Sequence, residues 1–337
     1  MNDYNWGILG PGNIAHKFMM GLGALPNAVP YAAASRDLGK AEAFAGKYGM
    51  KKAYGSYDAL AADPEVDVVY IATTHPQHEA AAIKCLNSKK AVLCEKPFAA
   101  NAAQAQRMID CARENKVFLM EAMWTRFLPH IKKTRELIAE GAIGKVRHIN
   151  ADFAFRAGVD PKGRLFSPDT AGGSLLDVGV YNISFCNMIY GETPETVRSA
   201  MTIGETGVDE TASALLCYAG GKSASVFSAI RVNTPQEATI YGEEGSIRLV
   251  PYWCGDTIVL NNKEGKNEIK LPFGDGGFQF EAAEVMACLD NGLLESPTMP
   301  LDETLAVMKI ADKIRYDHNL RYPFESDADV VFFKGGK

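Results

Sequence analysis

The chain has 337 residues, a net charge of −6, 47% apolar residues and 23% charged residues. That is the composition of a globular protein too long for one ordinary core, so two domains are expected. An acidic chain with a pI near 5.6 has no general attraction for nucleic acid. The most basic stretch, Lys132-Lys133-Thr134-Arg135, lies in an amphipathic helical pattern and reads as a solvated face.

Residues 4–10 (YNWGILG) form a short apolar run that reads as a strand, followed by a helical pattern over 13–23. Strand-like runs follow at 29–35, 66–73, 91–94 and 117–120. Helices between them start at the cap Asp37 (to about Tyr48), at Pro76 (to about Asn87) and at Asn101 (to about Asn115). Short apolar strands alternating with helices build a parallel sheet covered on both faces.

The pattern changes after about residue 125. A helix over 127–140 ends at Gly141, and 146–156 alternates as a strand does. Gly172-Gly173 opens a long apolar helix that stops at Gly191. Strand patterns then run at 195–203, 211–219, 223–232, 236–241, 246–250, 256–260 and 267–271, with helices at 277–291 and 302–318. Consecutive strands with short turns pair antiparallel. The expected fold is therefore α/β: an N-terminal Rossmann domain over 1–124, and a C-terminal α+β domain over 125–337 with a large, mostly antiparallel open sheet. The final segment is allowed to pack back on the first domain. An open sheet needs its second face covered, which predicts a homodimer formed through it.

Seven cysteines at 85, 94, 111, 186, 217, 254 and 288 show no C-x-x-C spacing. They read as free thiols of a reducing compartment and not as a metal site. No apolar run approaches the roughly 18 residues of a membrane span, and no leader pattern precedes the first strand. A cytoplasmic protein with no membrane partner is expected.

Gly10-Pro11-Gly12-Asn13-Ile14-Ala15 fits G-x-G-x-x-G/A after a strand and at the start of a helix, the context of a dinucleotide site. Gly10 makes the turn, Gly12 admits the pyrophosphate, and Ala15 lets helix and strand pack closely. The second strand ends in Ser35-Arg36-Asp37. A hydroxyl and an arginine suit the 2′-phosphate of NADP, which is favoured over NAD. Thr73 and His75 lie at the end of the third strand, where ligands bind in such sheets; His75 either meets the nicotinamide ribose or caps its own loop, and His78 reads as the latter.

Glu95-Lys96-Pro97 ends the fourth strand. A lysine there can bond both a substrate hydroxyl and the cofactor ribose, while Glu95 pairs with a cation and fixes the loop. Asp177 and Tyr181 are four apart in the apolar helix and share a face. Lys96, Asp177 and Tyr181 together supply a donor, an orienting carboxylate and an acid/base. By spacing alone, a core tyrosine bonded to a helix aspartate is an equal reading. Arg156 and Arg164 either contact an anionic substrate or lie on the surface, and the surface reading is favoured.

The order and spacing of Gly10–Ala15, Glu95-Lys96-Pro97 and Gly172-Gly173…Asp177…Tyr181 resemble the Gfo/Idh/MocA oxidoreductase family along the whole chain. Residues 53–60, 91–97, 119–127, 171–181 and 206–210 resemble its dihydrodiol and D-xylose dehydrogenase branch. The resemblance implies a commonly cis Pro97, Tyr181 as acid/base with Asp177 as its companion, Arg36 as the NADP selector, and dimers built on the open sheet. It also implies a pocket wall of Trp124, Arg126, Phe127 and Phe280. The implied function is hydride transfer between NADP and a hydroxyl carbon of a sugar or trans-diol. The alternatives are a non-catalytic dinucleotide sensor on the same fold, and a dehydrogenase of inositol or another modified sugar.

Overall fold

A computed structural model of the chain describes residues 2–329. The last residues of the expected second domain, 330–337, lie outside the described residues.

Six strands, β1 (Tyr4–Leu9), β2 (Ala28–Ala34), β3 (Lys52–Tyr54), β4 (Val68–Ile71), β5 (Ala91–Glu95) and β6 (Leu119–Ala122), form one sheet in the order β3-β2-β1-β4-β5-β6. Every pairing is parallel. β4, β5 and β6 are buried at every position, which is why they read as continuous apolar runs and not as alternating ones. The connecting helices are α1 (Asn13–Leu22), α2 (Leu38–Lys47), α3 (Tyr57–Ala61), α4 (His78–Asn87) and α5 (Ala102–Asn115). The edge strand β3 escapes the sequence pattern because it has three residues, all half-buried. Side chains hold its place: Lys52 Nζ and Tyr54 Oη bond Asp63 Oδ2 at 2.9 and 2.7 Å.

After α6 (Pro129–Ala139), β7 (Val146–Ala154) and α7 (Val180–Tyr190), the chain runs through β8 (Thr196–Ile203), β9 (Asp209–Cys217), β10 (Ser223–Ala229), β11 (Ala238–Gly242), β12 (Gly245–Leu249), β13 (Thr257–Asn262) and β14 (Gly265–Lys270). With β7 these make an eight-stranded sheet in the order β14-β13-β12-β11-β7-β10-β9-β8. Among the described residues, only the β7–β10 pairing of this sheet is parallel. Ile149, Phe153, Ala214, Leu216, Val226, Ile240 and Ile247 form its buried face, against which α7 packs through β7 and β10. α7 is buried from Val180 to Met188, as a helix apolar all round must be. The opposite face carries the exposed Ser213, Leu215 and Ser225 and bounds a shallow concavity of about 610 Å³.

The chain divides into two compact units. Among the described residues, one holds 2–99, Gln104–Trp124 and Gly274–Thr304; the other holds Ala100–Ala103, Thr125–Phe273 and 305–329. The first therefore takes α8 (Gln279–Asp290), and the second takes most of α9 (Leu301–Asp317). α8 lies so close to α1 that a Cβ on Gly21 would sit 2.5 Å from the Gln279 amide nitrogen.

Candidate active site

In the first unit the strand ends of β1 and β4 meet at Gly10. Its φ of 81° lies in the left-handed region, and a Cβ would stand 2.9 Å from the Ala72 carbonyl oxygen, so glycine is required on both counts. Gly12 precedes α1 with no side-chain cap. A Cβ there would meet only the Gly10 carbonyl oxygen, 4.0 Å away, so neither crowding nor backbone strain asks for glycine. The exposed Asn13 and half-buried Ile14 open the helix. No acidic residue occupies its first turn, so the positive end of its dipole is unopposed there. Thr73 stands beside Gly10, its Cγ2 3.1 Å from where that Cβ would be. Its Oγ1 is buried with no hydrogen-bond partner among the described residues. A bare helix N-terminus, an open approach at Gly12 and an orphan hydroxyl fit a dinucleotide, whose phosphate and ribose oxygens would satisfy them.

At the end of β2, Ser35 is buried and Arg36 exposed. Asp37 caps α2, accepting from the Lys40 amide at 3.3 Å, and its own amide donates to Ser35 Oγ at 3.2 Å. Capping commits the Asp37 carboxylate to the helix. The charge of Arg36 reaches Tyr57, whose pKa burial raises and Arg36 lowers.

The turn after β5 is braced from several sides. Glu95 accepts from Tyr70 Oη and, at 3.1 Å, from the Lys96 amide. The Lys96–Pro97 peptide is cis, and Lys96 is half-buried. His78 is wholly buried, with Nδ1 3.0 Å from the Pro97 carbonyl and Nε2 3.1 Å from that of Thr73. Burial lowers its pKa; the neutral ring donates to one of these carbonyls at a time. His75 is buried edge-on to His78, with centroids 5.9 Å apart. Glu281 on α8 escaped sequence reading. It is fully buried, and its pKa stands well above the usual carboxylate range through burial and then through repulsion from Glu95. Trp124 stacks on Phe278 at 4.7 Å, and Phe280 is half-buried.

In the second unit the apolar helix has a break that its sequence does not show. Leu175–Gly179 form a π-turn that continues into α7, a feature frequent at functional sites. Asp177 lies on this turn and accepts from Arg164 Nη2 at 3.0 Å. Arg164 is exposed, as expected, but the loop over 155–170 turns its guanidinium onto the candidate carboxylate. Arg156 is exposed, as expected. Tyr181, in the first turn of α7, is 4% exposed. Phe153 and Trp253 pack around it with ring centroids at 5.3 and 6.3 Å.

Arg126 and Phe127, expected in a pocket wall, are buried. Arg126 Nε donates to Ser184 Oγ of α7 at 3.2 Å, so this pair supports the helix. Asp209, at the start of β9, also went unassigned in the sequence. It is fully buried and accepts from the Leu175 amide and Ser174 Oγ, both at 2.7 Å. Lys96 belongs to the first unit, Asp177 and Tyr181 to the second.

Comparison with known proteins agrees with this division of parts. Residues 4–123 match the oxidoreductase family with an NAD-binding Rossmann fold, GFO_IDH_MocA, and residues 131–248 match the GFO/IDH/MocA C-terminal domain. The trans-1,2-dihydrobenzene-1,2-diol dehydrogenase of Mus musculus is 41% identical over 329 residues, 94% of this chain and 98% of the relative. Among solved structures, the aldose-aldose oxidoreductase of Caulobacter crescentus, complexed with glycerol, superposes with a TM-score of 0.87. It is 24% identical, covering 94% of this chain and 97% of that one. KijD10, a 3-ketoreductase from Actinomadura kijaniata in complex with NADP and TDP-benzene, gives a TM-score of 0.83 at 23% identity, covering 94% and 98%. The two structural likenesses speak to the fold.

Proposed function

The chain belongs to the Gfo/Idh/MocA oxidoreductase family, and from that premise we propose that it moves hydride between NADP and the hydroxyl carbon of a sugar or cyclic trans-diol. The observation that carries this reading is the strand-end constellation of the first unit: the Gly10 turn, the open Gly12, the bare α1 terminus and the orphan Thr73 hydroxyl. Gly10, Gly12, Asn13 and Ile14 would hold the pyrophosphate through backbone amides. Ser35 and Arg36 would take the 2′-phosphate, since Asp37 is committed to capping α2. Thr73, His75, Glu95 and Lys96 would define the nicotinamide side. The bound cofactor supplies the hydride acceptor or donor.

The chain's own residues then have to move one proton. As hydride leaves the substrate carbon for the acceptor, the hydroxyl proton would pass to the Tyr181 phenolate and the C–O bond would become a carbonyl. Lys96 supplies the positive charge that makes a phenol usable as a base, and Asp177 orients the acid/base. In the reverse direction Tyr181 returns the proton to the new alkoxide oxygen. The mouse relative's name and the neighbours' complexes, with glycerol in one and NADP with TDP-benzene in the other, support a polyol-like substrate and NADP. The exposed face of the eight-stranded sheet, with Leu215 43% exposed, supports a homodimer formed there. All seven cysteines are free thiols and no described helix is long and apolar enough to cross a membrane; the free thiols support the cytoplasm as the site of action.

The test is turnover of purified protein with NADP or NAD and a panel of aldoses, inositols and cyclic trans-diols, followed by nicotinamide absorbance. Turnover of D-xylose or a trans-diol with NADP is expected. Silence across the panel, with NADPH still bound, would remove the catalytic reading.

A further inference from the structure

We propose that Asp209 is a positioning residue for the reaction, holding the π-turn that presents Asp177; the proposal rests on the assignment of Asp177 above. Both of its anchoring bonds converge on one oxygen. Oδ2 accepts from the Leu175 amide at 2.7 Å and from Ser174 Oγ at 2.7 Å, while Oδ1 has no hydrogen-bond partner among the described residues. The carboxyl group thus meets the N-terminal end of Leu175–Gly179, the turn in which Asp177 sits two residues further on. Ser174 Oγ is also 3.2 Å from Ser228 Oγ of β10, so the anchor ties the turn to two strands.

The chain makes costly provision for this anchor. Gly173 adopts a φ of 113°, and a Cβ on it would lie 2.0 Å from Asp209 Oδ1, so the residue before Ser174 must be glycine. At the other end of the turn a Cβ on Gly179 would lie 2.9 Å from Ser228 Oγ. The turn is therefore seated directly on β10 at its far end and bonded to β9 at its near end. A buried carboxylate loses its hydration, and two donors on one oxygen recover only part of that loss. A helix start alone needs no buried acid, since serine or threonine caps serve the purpose without a charge. What the acid adds is stiffness: charge-assisted bonds are shorter and stronger than neutral ones, and Asp177 must hold its place against Arg164.

Two variants test this, Asp209→Asn and Ser174→Ala, each compared with Asp177→Asn. Asparagine keeps the volume and one acceptor oxygen but removes the charge. With folded molecules counted by NADPH binding, Asp209→Asn is expected to lower kcat about tenfold and Ser174→Ala about threefold, since small misplacements of a reacting group carry penalties of this size. The KM for NADP should not change, because the nucleotide residues named above belong to the first unit. Asp209→Ala should lose more kcat than Asp209→Asn, which retains an acceptor. Wild-type kcat in both Asp209→Asn and Ser174→Ala, with only a lower Tm, would overturn the proposal and leave Asp209 a structural cap. Should Asp209→Asn not fold, Ser174→Ala decides alone. Wild-type kcat in Asp177→Asn would instead overturn the assignment beneath it.

Discussion

Arg164 Nη2 stands 3.0 Å from Asp177 Oδ1, so a loop arginine holds the carboxylate of the π-turn. The pair is asymmetric: the Arg164 side chain is 43% exposed and that of Asp177 11%. A half-exposed partner contributes little to global stability, but it fixes which way a nearly buried carboxylate points. Arg164→Gln should leave Tm within about a degree, as surface substitutions usually do. It should lower kcat by about three- to tenfold, the size of effect expected when a charge-assisted bond to a working group is lost. Steady-state kinetics beside a thermal melt check this. An unchanged kcat would leave Arg164 a surface ion pair with no part in the reaction.

Tyr181 offers the sharpest separation of binding from chemistry. It is packed by Phe153 and Trp253, so Tyr181→Phe retains the ring and removes only the hydroxyl. Turnover should fall by at least about a hundredfold, the usual contribution of a positioned proton carrier. NADPH affinity should stay as in the wild type. Fluorescence titration with NADPH and initial rates on the same preparation would show the split; normal turnover would sink the acid/base assignment.

What was legible in the sequence follows from where the information lies. The Rossmann unit could be read because buried parallel strands and their helices leave local apolar periodicity, and because Gly10–Ala15 has a fixed local context. Asp37 is recognisable as a cap for the same reason, as its bond to Lys40 spans three residues. β3 has too few residues to leave a period, and its anchors to Asp63 are side-chain bonds. The π-turn is invisible because Leu175–Tyr190 is apolar all round, so neither helical geometry leaves a distinguishing stripe. Arg164, Asp209 and Glu281 act through contacts across 13 or more residues, and a single sequence carries no trace of those.

Cofactor choice is tested at Arg36. It is exposed at the end of β2, and the neighbouring Asp37 already caps α2. Loss of a guanidinium–phosphate bond costs about 1.5–3 kcal/mol, or roughly 10- to 100-fold in affinity. Arg36→Ala should therefore raise the KM for NADP by that factor and leave the KM for NAD nearly unchanged. Equal effects on both cofactors would mean that Arg36 does not read the 2′-phosphate.

The open sheet face gives a prediction about assembly. Leu215 projects from β9 on the exposed side, among Ser213, Ser225 and Phe227. A charge placed there would oppose burial against a second copy without touching the core face. The wild type should sediment as a dimer and Leu215→Glu as a monomer with unaltered far-ultraviolet circular dichroism. A wild-type monomer at micromolar concentration would remove the dimer proposal.

Asp209 also predicts how stability depends on pH. Burial is the largest influence on its carboxyl group and pushes the pKa from 3.8 up to about 6, against the lowering effect of its bonds to Ser174 and Leu175 and the charge of Arg315. A group whose folded pKa is raised contributes its stability in full below the unfolded value and loses it as pH rises through the folded one. Lowering the pH from above 6 to about 5 should therefore stabilise the wild type by about 1.4 kcal/mol through this group, one pH step at 1.36 kcal/mol. Asp312, also raised to about 6 by burial, adds an effect of the same sign. Glu325, which Arg315 holds below the usual carboxylate range, titrates at lower pH and stays outside this window. Asp209→Asn keeps the Asp312 contribution and removes its own, so the difference between the two proteins isolates Asp209. His16, His78 and His130, lowered by burial, oppose this gain equally in both proteins, so urea unfolding should show the wild type gaining about 1.4 kcal/mol more than the variant on acidification; equal changes would show that Asp209 does not titrate there.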